Sequence, residues 1–100
     1  MYDMKNIRKL GQLKDLAPAA WQGFTDFDRA AMAEGAIPAR TKELIAIAVA
    51  MTTQCPYCIE IHTNKAREAG CSQQEIAETI MVAAAMRAGA AITHGTHAID

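Results

Sequence analysis

Apolar side chains recur at helical spacing through most of this chain, and no stretch alternates in the way a half-buried strand requires. The pattern predicts an all-α fold. After a polar opening over residues 1–16, Pro18 begins a stretch in which Trp21, Phe24, Phe27 and Met32 recur near helical spacing. Gly35 offers a stop, which places a helix at residues 17–34. Pro38 suits a first helical turn, and the residues 44–51 that follow Arg40, Lys42 and Glu43 are apolar on every face, so a helix at 38–53 is expected to be buried. Pro56 opens a third helix that runs through His62 to Gly70, with Glu60, Asn64, Lys65, Arg67 and Glu68 turned away from its cysteines. Ser72-Gln73-Gln74-Glu75 is a capping-box pattern, in which hydroxyl and carboxylate satisfy open amides at a helix start. The last helix covers residues 73–98, with Gly89 as the place where it would break.

One hundred residues make a single domain, 1–100, and a chain of this size hides only about 60–65% of the surface its unfolded form exposes. Yet 51% of the residues are hydrophobic and only 5% aromatic, so apolar surface is spread over Ala, Ile, Leu, Val and Met on helices that need more partners than one copy supplies. A homo-oligomer is expected. The formal charge of −1 gives no electrostatic footprint for nucleic acid or an anionic membrane. The longest continuous apolar run, 44–51, falls short of the roughly 18 residues of a membrane span, and the opening segment has no apolar core of a secretory signal. A soluble cytoplasmic protein is the expectation. Three cysteines without an export signal argue against a structural disulfide framework and for a reversible Cys55–Cys58 pair, with Cys71 left over.

The chemistry concentrates in Cys55-Pro56-Tyr57-Cys58-Ile59-Glu60-Ile61-His62. On a helix at about 100° per residue, Cys58 lies about 60° and His62 about 20° from Cys55, so two thiols and an imidazole share one stripe. A thiol attacks only as thiolate, and a helix N-terminus with a nearby base favours that form. Cys58, one turn before His62, is the expected nucleophile, and Cys55 at the helix mouth the resolving thiol. With a peroxide, Cys58 would become sulfenic acid, condense with Cys55 to a disulfide and be restored by an external dithiol. Glu43, Ile47, Ala50 and Gln54 form a stripe leading toward the thiols, so Glu43 either turns inward to orient His62 or is an ordinary early-turn acid favoured by the helix dipole. Tyr57 either places a phenol beside the substrate or simply packs. Zinc is the competing reading, with Cys71, His94 or His97 as a fourth ligand, but three ligands within two turns of one helix are poorly spread for a closed tetrahedron. Cys71 after Gly70 reads as structural, and no spacing rule ties His94 or His97 to the thiols.

The pattern Glu43-x11-Cys55-x2-Cys58-x3-His62 resembles the AhpD-like alkylhydroperoxidase branch of the carboxymuconolactone decarboxylase family. The likeness includes the lead-in Pro38-Ala39-Arg40-Thr41-Lys42-Glu43-Leu44, the Cys-Pro-Tyr-Cys core and the Ala-rich helix after it. It implies an all-helical fold, no bound cofactor, and hydroperoxide reduction with Cys58 as peroxidatic thiol, Cys55 as resolving thiol, and Glu43 and His62 as proton relay. It also disfavours lactone decarboxylation, since decarboxylase members lack the thiol pair. AhpD proper carries two copies of the helical unit where this chain has room for one. Half-length members are hexamers built from dimers, so a hexamer, or a trimer, is implied here. A non-catalytic redox sensor using the same disulfide as a switch is the rival to the peroxidase.

Overall fold

The computed structural model describes residues 2–100. Five α-helices follow one another: α1 (Leu10–Leu16), α2 (Pro18–Met32), α3 (Ala39–Thr53), α4 (Pro56–Glu68) and α5 (Gln73–Gly95). A 3-10 helix at Met4–Lys9 precedes them and another at Thr96–Ala98 follows, and no strand occurs among the described residues. The all-α expectation holds.

Helix α3 packs against both α4 and α5 around Ile47, and these three form the body of the molecule. Its core is small: Ile47, Ala66, Cys71 and Ile76, with Leu44 and Met51 packed against them. Cys71 is thus a core side chain, as expected. Helices α1 and α2, joined through Ala17, form an arm that touches the body sparingly, near α3. The radius of gyration is 16.7 Å, against about 13 Å for a compact chain of this length.

Local chemistry fixes the joints. Pro38 is the cap of α3 and Pro56 the first residue of α4, where a missing N–H costs nothing. Helix α4 ends in a Schellman motif: Gly70 takes φ +89, its N–H donates to Arg67 O at 3.0 Å, and the Cys71 N–H donates to Ala66 O at 2.9 Å. A side chain at position 70 would be strained by that left-handed backbone. The capping box forms as expected, with Glu75 N–H donating to Ser72 Oγ at 3.0 Å and Ser72 N–H to Glu75 Oε1 at 2.8 Å.

The structure differs from the sequence reading at several points. The polar opening segment is itself helical, and Leu13 lies beside Ala20, Trp21 and Phe24 of α2. Helix α2 stops at Met32, before Gly35, where Ala33 turns extended. Helix α3 buries only Ile47 and Ala50, while Ile45 and Val49 are about half exposed. One copy has no further helix with which to cover that second face. Helix α5 runs unbroken through Gly89, since the Ala-rich residues around it carry enough helix propensity to absorb the roughly 1 kcal/mol that one glycine costs. Finally, α5 with the short turn after it, Gln73–Ala98, is long and apolar enough to cross a membrane by length and composition, which a search for continuous apolar runs misses because scattered polar residues interrupt it.

Candidate active site

The thiol segment owes its shape to a left-handed residue. Gln54 ends α3 at φ 57, ψ 45, and its successor Cys55 donates its N–H to Ala50 O at 3.2 Å. That reversal lays α4 back along α3. Cys55 is left extended as the cap of α4, where its sulfur accepts the Cys58 N–H at 3.3 Å. Cys58 follows on the first turn, so the two sulfurs stand 2.7 Å apart as free thiols.

The two thiols lie within hydrogen-bond reach of each other. Contact with the Cys55 sulfur, together with partial removal from water, pushes the Cys58 thiol up to about 11. Cys55 is held below its ordinary value, first by the thiol of Cys58 and then by the backbone amides of Cys58 and Tyr57. Of the two, Cys55 is therefore the thiol whose ionised form is favoured. Sequence reasoning assigned the activating effect of the helix N-terminus to Cys58, whereas the cap position, where open amides converge, belongs to Cys55.

His62 and Glu43 meet. Nδ1 of His62 lies 2.7 Å from Oε2 of Glu43, and both side chains are largely shielded, at 20% and 14% exposure. Of the two readings open for Glu43, the inward one is realised, because α3 turns the stripe that carries Ile47 toward α4. A carboxylate facing Nδ1 holds a proton on that nitrogen and leaves Nε2 as the working atom of the neutral ring.

Tyr57, between the cysteines, is engaged from outside the body. Its hydroxyl accepts from Asn6 Nδ2 at 3.1 Å and from the Asp3 N–H at 3.4 Å, and its ring meets Tyr2 edge-on at 5.0 Å. The N-terminal 3-10 helix is thereby fastened to the first turn of α4. Nothing in the sequence announced this contact, which joins residues 51 apart and has no periodic signal. Also unforeseen was Arg40, which bonds Glu75 at 2.5 Å and ties the start of α3 to the capping box of α5.

The ligand sets weighed for zinc are not assembled. Cys71 faces the core, while His94 and His97 pair with each other at 5.1 Å on the exposed end of α5. Among the described residues no three Cys, His, Asp or Glu side chains converge as a metal site.

Residues 18–100 match the carboxymuconolactone decarboxylase family. The chain belongs to that family. Among similar proteins, "Uncharacterized protein 4 in cox locus" of Paracoccus denitrificans is 44% identical over 90 residues, which are 90% of this chain and 81% of that protein. Two crystal structures share the fold. A protein of Methanobacterium thermoautotrophicum superposes with a TM-score of 0.83 at 32% identity, over 88% of this chain and 99% of that one. A carboxymuconolactone decarboxylase family protein from Legionella pneumophila, solved in its apo form, gives 0.80 at 32% identity, over 93% and 84%. The carboxymuconolactone decarboxylase fold thus accounts for α2 to α5 and for the element that carries the thiol pair.

Proposed function

We propose that this protein is a thiol-dependent peroxidase, of the alkylhydroperoxidase kind, which reduces hydroperoxides through Cys55 and Cys58 with Glu43 and His62 as its proton relay. The observation that carries the reading is the coincidence of two contacts within the first two turns of α4: sulfur to sulfur at 2.7 Å and His62 to Glu43 at 2.7 Å. A metal-free oxidoreductase needs both, a pair that can exchange electrons and a pair that can exchange protons.

Cys58 is the attacking sulfur because of its distance along α4 from the relay. It lies four residues from His62, a rise of about 6 Å, whereas Cys55 lies about 10.5 Å away. The ionised form is favoured on Cys55, so in the singly deprotonated pair a proton first crosses from Cys58 to Cys55. The Cys58 thiolate then attacks one peroxide oxygen, the O–O bond breaks and Cys58 becomes sulfenic acid. The departing alkoxide, or hydroxide, takes the Cys55 proton through Nε2 of His62, which accepts it and passes it on while Glu43 holds the ring. Cys55, now a thiolate, attacks the Cys58 sulfur. The expelled hydroxide takes a proton from solvent and leaves as water, and a disulfide remains. An external dithiol or thiol protein reduces it by exchange. Two electrons pass from the cysteines to the peroxide and two return from the reductant. No cofactor enters this scheme.

The same reading makes the protein a cytoplasmic homo-oligomer, a hexamer built from dimers or a trimer, with no nucleic acid or membrane partner. What supports self-association is the apolar surface that one copy leaves uncovered.

Steady-state loss of organic hydroperoxide or hydrogen peroxide, with a dithiol donor and thiol counting before and after, tests the reading. Sustained turnover is expected, abolished by Cys58→Ser, while Cys55→Ser permits one oxidation and stalls at sulfenic acid. A single stoichiometric oxidation of the unmodified protein without cycling would leave the disulfide as a sensor's switch and not an enzyme's. Full activity in Cys58→Ser would reverse the thiol roles.

A further inference from the structure

The protomer exposes 7532 Å², whereas a compact monomer of its 10.8 kDa exposes about 5,500 Å². The excess is about 2,000 Å² per copy, or about 4,000 Å² for a pair, the size of an obligate interface and well beyond a transient one. Two faces account for much of it. On α5, the buried residues Ile76 and Ala83 face α3, and Met81, Ala85, Ala88 and Ile92 form a stripe about 130–170° away, with Ala84 on its edge at about 90°. That stripe carries no charge, and all five side chains are exposed. On α2, Phe24 and Phe27 are 58% and 72% exposed. Beside Phe24, an apolar hollow of about 320 Å³ is lined by Leu13, Ala17, Ala20 and Trp21.

The two faces complement each other. The arm presents bulky rings, while the α5 stripe is smooth, since three of its five residues are alanine. Within one copy the substantial contact of the α1–α2 arm with the body is with α3 and not with α5. A formal charge of −1 opposes no self-association. We propose that the α1–α2 arm of one copy lies on the outer stripe of α5 of a second copy, with Phe24 and Phe27 seated over Ala84, Ala85 and Ala88. The occupant of each face is thus the other face on a neighbouring chain. The proposal rests on the self-association in the reading above and not on its thiol chemistry. A bilayer is the competing occupant of α5, and it is disfavoured because the inner face of that helix is committed to α3 and because the aromatic arm is left exposed as well.

Mass measurement by sedimentation or light scattering, on the full chain and two exposed-site variants, tests this. The unmodified protein should sediment as an assembly. Phe27→Glu, with a damaged arm and intact stripe, and Ala88→Arg, with the reverse, should each fall to the 10.8 kDa protomer with unchanged helical circular dichroism. Mixed together they retain one intact arm and one intact stripe, so a species of twice that mass should return. An unmodified protein that is monomeric sinks the self-association itself, and one that also floats with phosphatidylcholine vesicles assigns α5 to the bilayer. Variants that stay assembled, or a mixture that stays monomeric, leave self-association standing but overturn the arm-to-stripe pairing. Should either variant lose helical signal, amide exchange on the unmodified protein decides: protection of α2 and of the α5 stripe must vanish together on dilution, and independent loss refutes the pairing.

Discussion

Glu43 and His62 are 19 residues apart in sequence and 2.7 Å apart in space, one near the start of α3 and the other midway along α4. The contact fixes which imidazole nitrogen is free for proton transfer. His62→Ala should lower kcat/KM for hydroperoxide by about 10²-fold or more, the usual loss for a general acid–base. Glu43→Gln should cost about 10–100-fold, as removal of a group that orients a catalytic histidine does. In both variants the pH–rate profile should move upward, because thiolate formation then depends on solvent base. An unmoved profile would remove the pair from proton transfer and leave it a structural contact.

Much of this was legible in the residues because helices announce themselves locally. Pro38, Pro56 and the Ser72–Glu75 capping box placed three helix starts to within a residue, and the stripe through Glu43 and Ile47 pointed at the thiols. The closeness of the two thiols was legible too, since a three-residue spacing at a helix start puts Cys55 and Cys58 side by side. What failed to appear was whatever depends on distant contacts or on a backbone angle. Gln54 adopts a left-handed conformation usually marked by glycine, so no residue type signalled the turn that makes Cys55 the cap. The fastening of Asn6 to Tyr57 depends on chain reversal across most of the domain. Burial of α3 was overestimated because an all-round apolar helix needs neighbours on every side, and a single copy supplies two.

The N-terminal segment should loosen when Tyr57 loses its hydroxyl. Tyr57→Phe removes the acceptor for Asn6 Nδ2 and the Asp3 N–H, two partly solvated hydrogen bonds worth about 1 kcal/mol together. Amide exchange over residues 3–9 should quicken by roughly fivefold while α3 to α5 keep their protection. Asn6→Ala should reproduce part of the effect. Unchanged exchange in both variants would mean that contacts other than the Tyr57 hydroxyl's hydrogen bonds hold the segment.

Acid should weaken the joint between α3 and α5. The Arg40 guanidinium, together with the Ser72 backbone N–H, holds the Glu75 carboxyl down at about 2, against an ordinary 4.5. A carboxyl depressed in the folded state contributes stability that is complete above its unfolded value. That contribution fades as pH falls from about 4.5 toward 2. Unfolding curves of the native chain and Glu75→Gln should therefore differ at neutral pH, with the native chain more stable, and converge near pH 2. The glutamine variant retains a capping acceptor, so the difference reports the charge. Parallel curves across that window would mean that the ion pair contributes nothing measurable, the common result for solvated pairs.

The two sulfurs should be distinguishable by titration. Alkylation with iodoacetamide, followed residue by residue by peptide mass spectrometry, reads each thiolate separately. Cys55 should react with a midpoint below the ordinary 9.0, and Cys58 should resist until the pH approaches about 11. The sign follows from the contact between the sulfurs: a donor stabilises the thiolate it faces and lowers its midpoint, while the donor itself gives up its proton later. Cys58→Ala removes the donor, so the Cys55 midpoint should rise, though the backbone amides of Cys58 and Tyr57 limit the change. Cys55→Ala removes the acceptor and the adjacent negative charge, so the Cys58 midpoint should fall from about 11 toward 9. That second shift bears directly on the chemistry, because it measures how far the resting charge on Cys55 restrains Cys58. If Cys58 in the unmodified protein alkylates first, the proton rests on Cys55 from the outset, and attack by Cys58 needs no proton crossing.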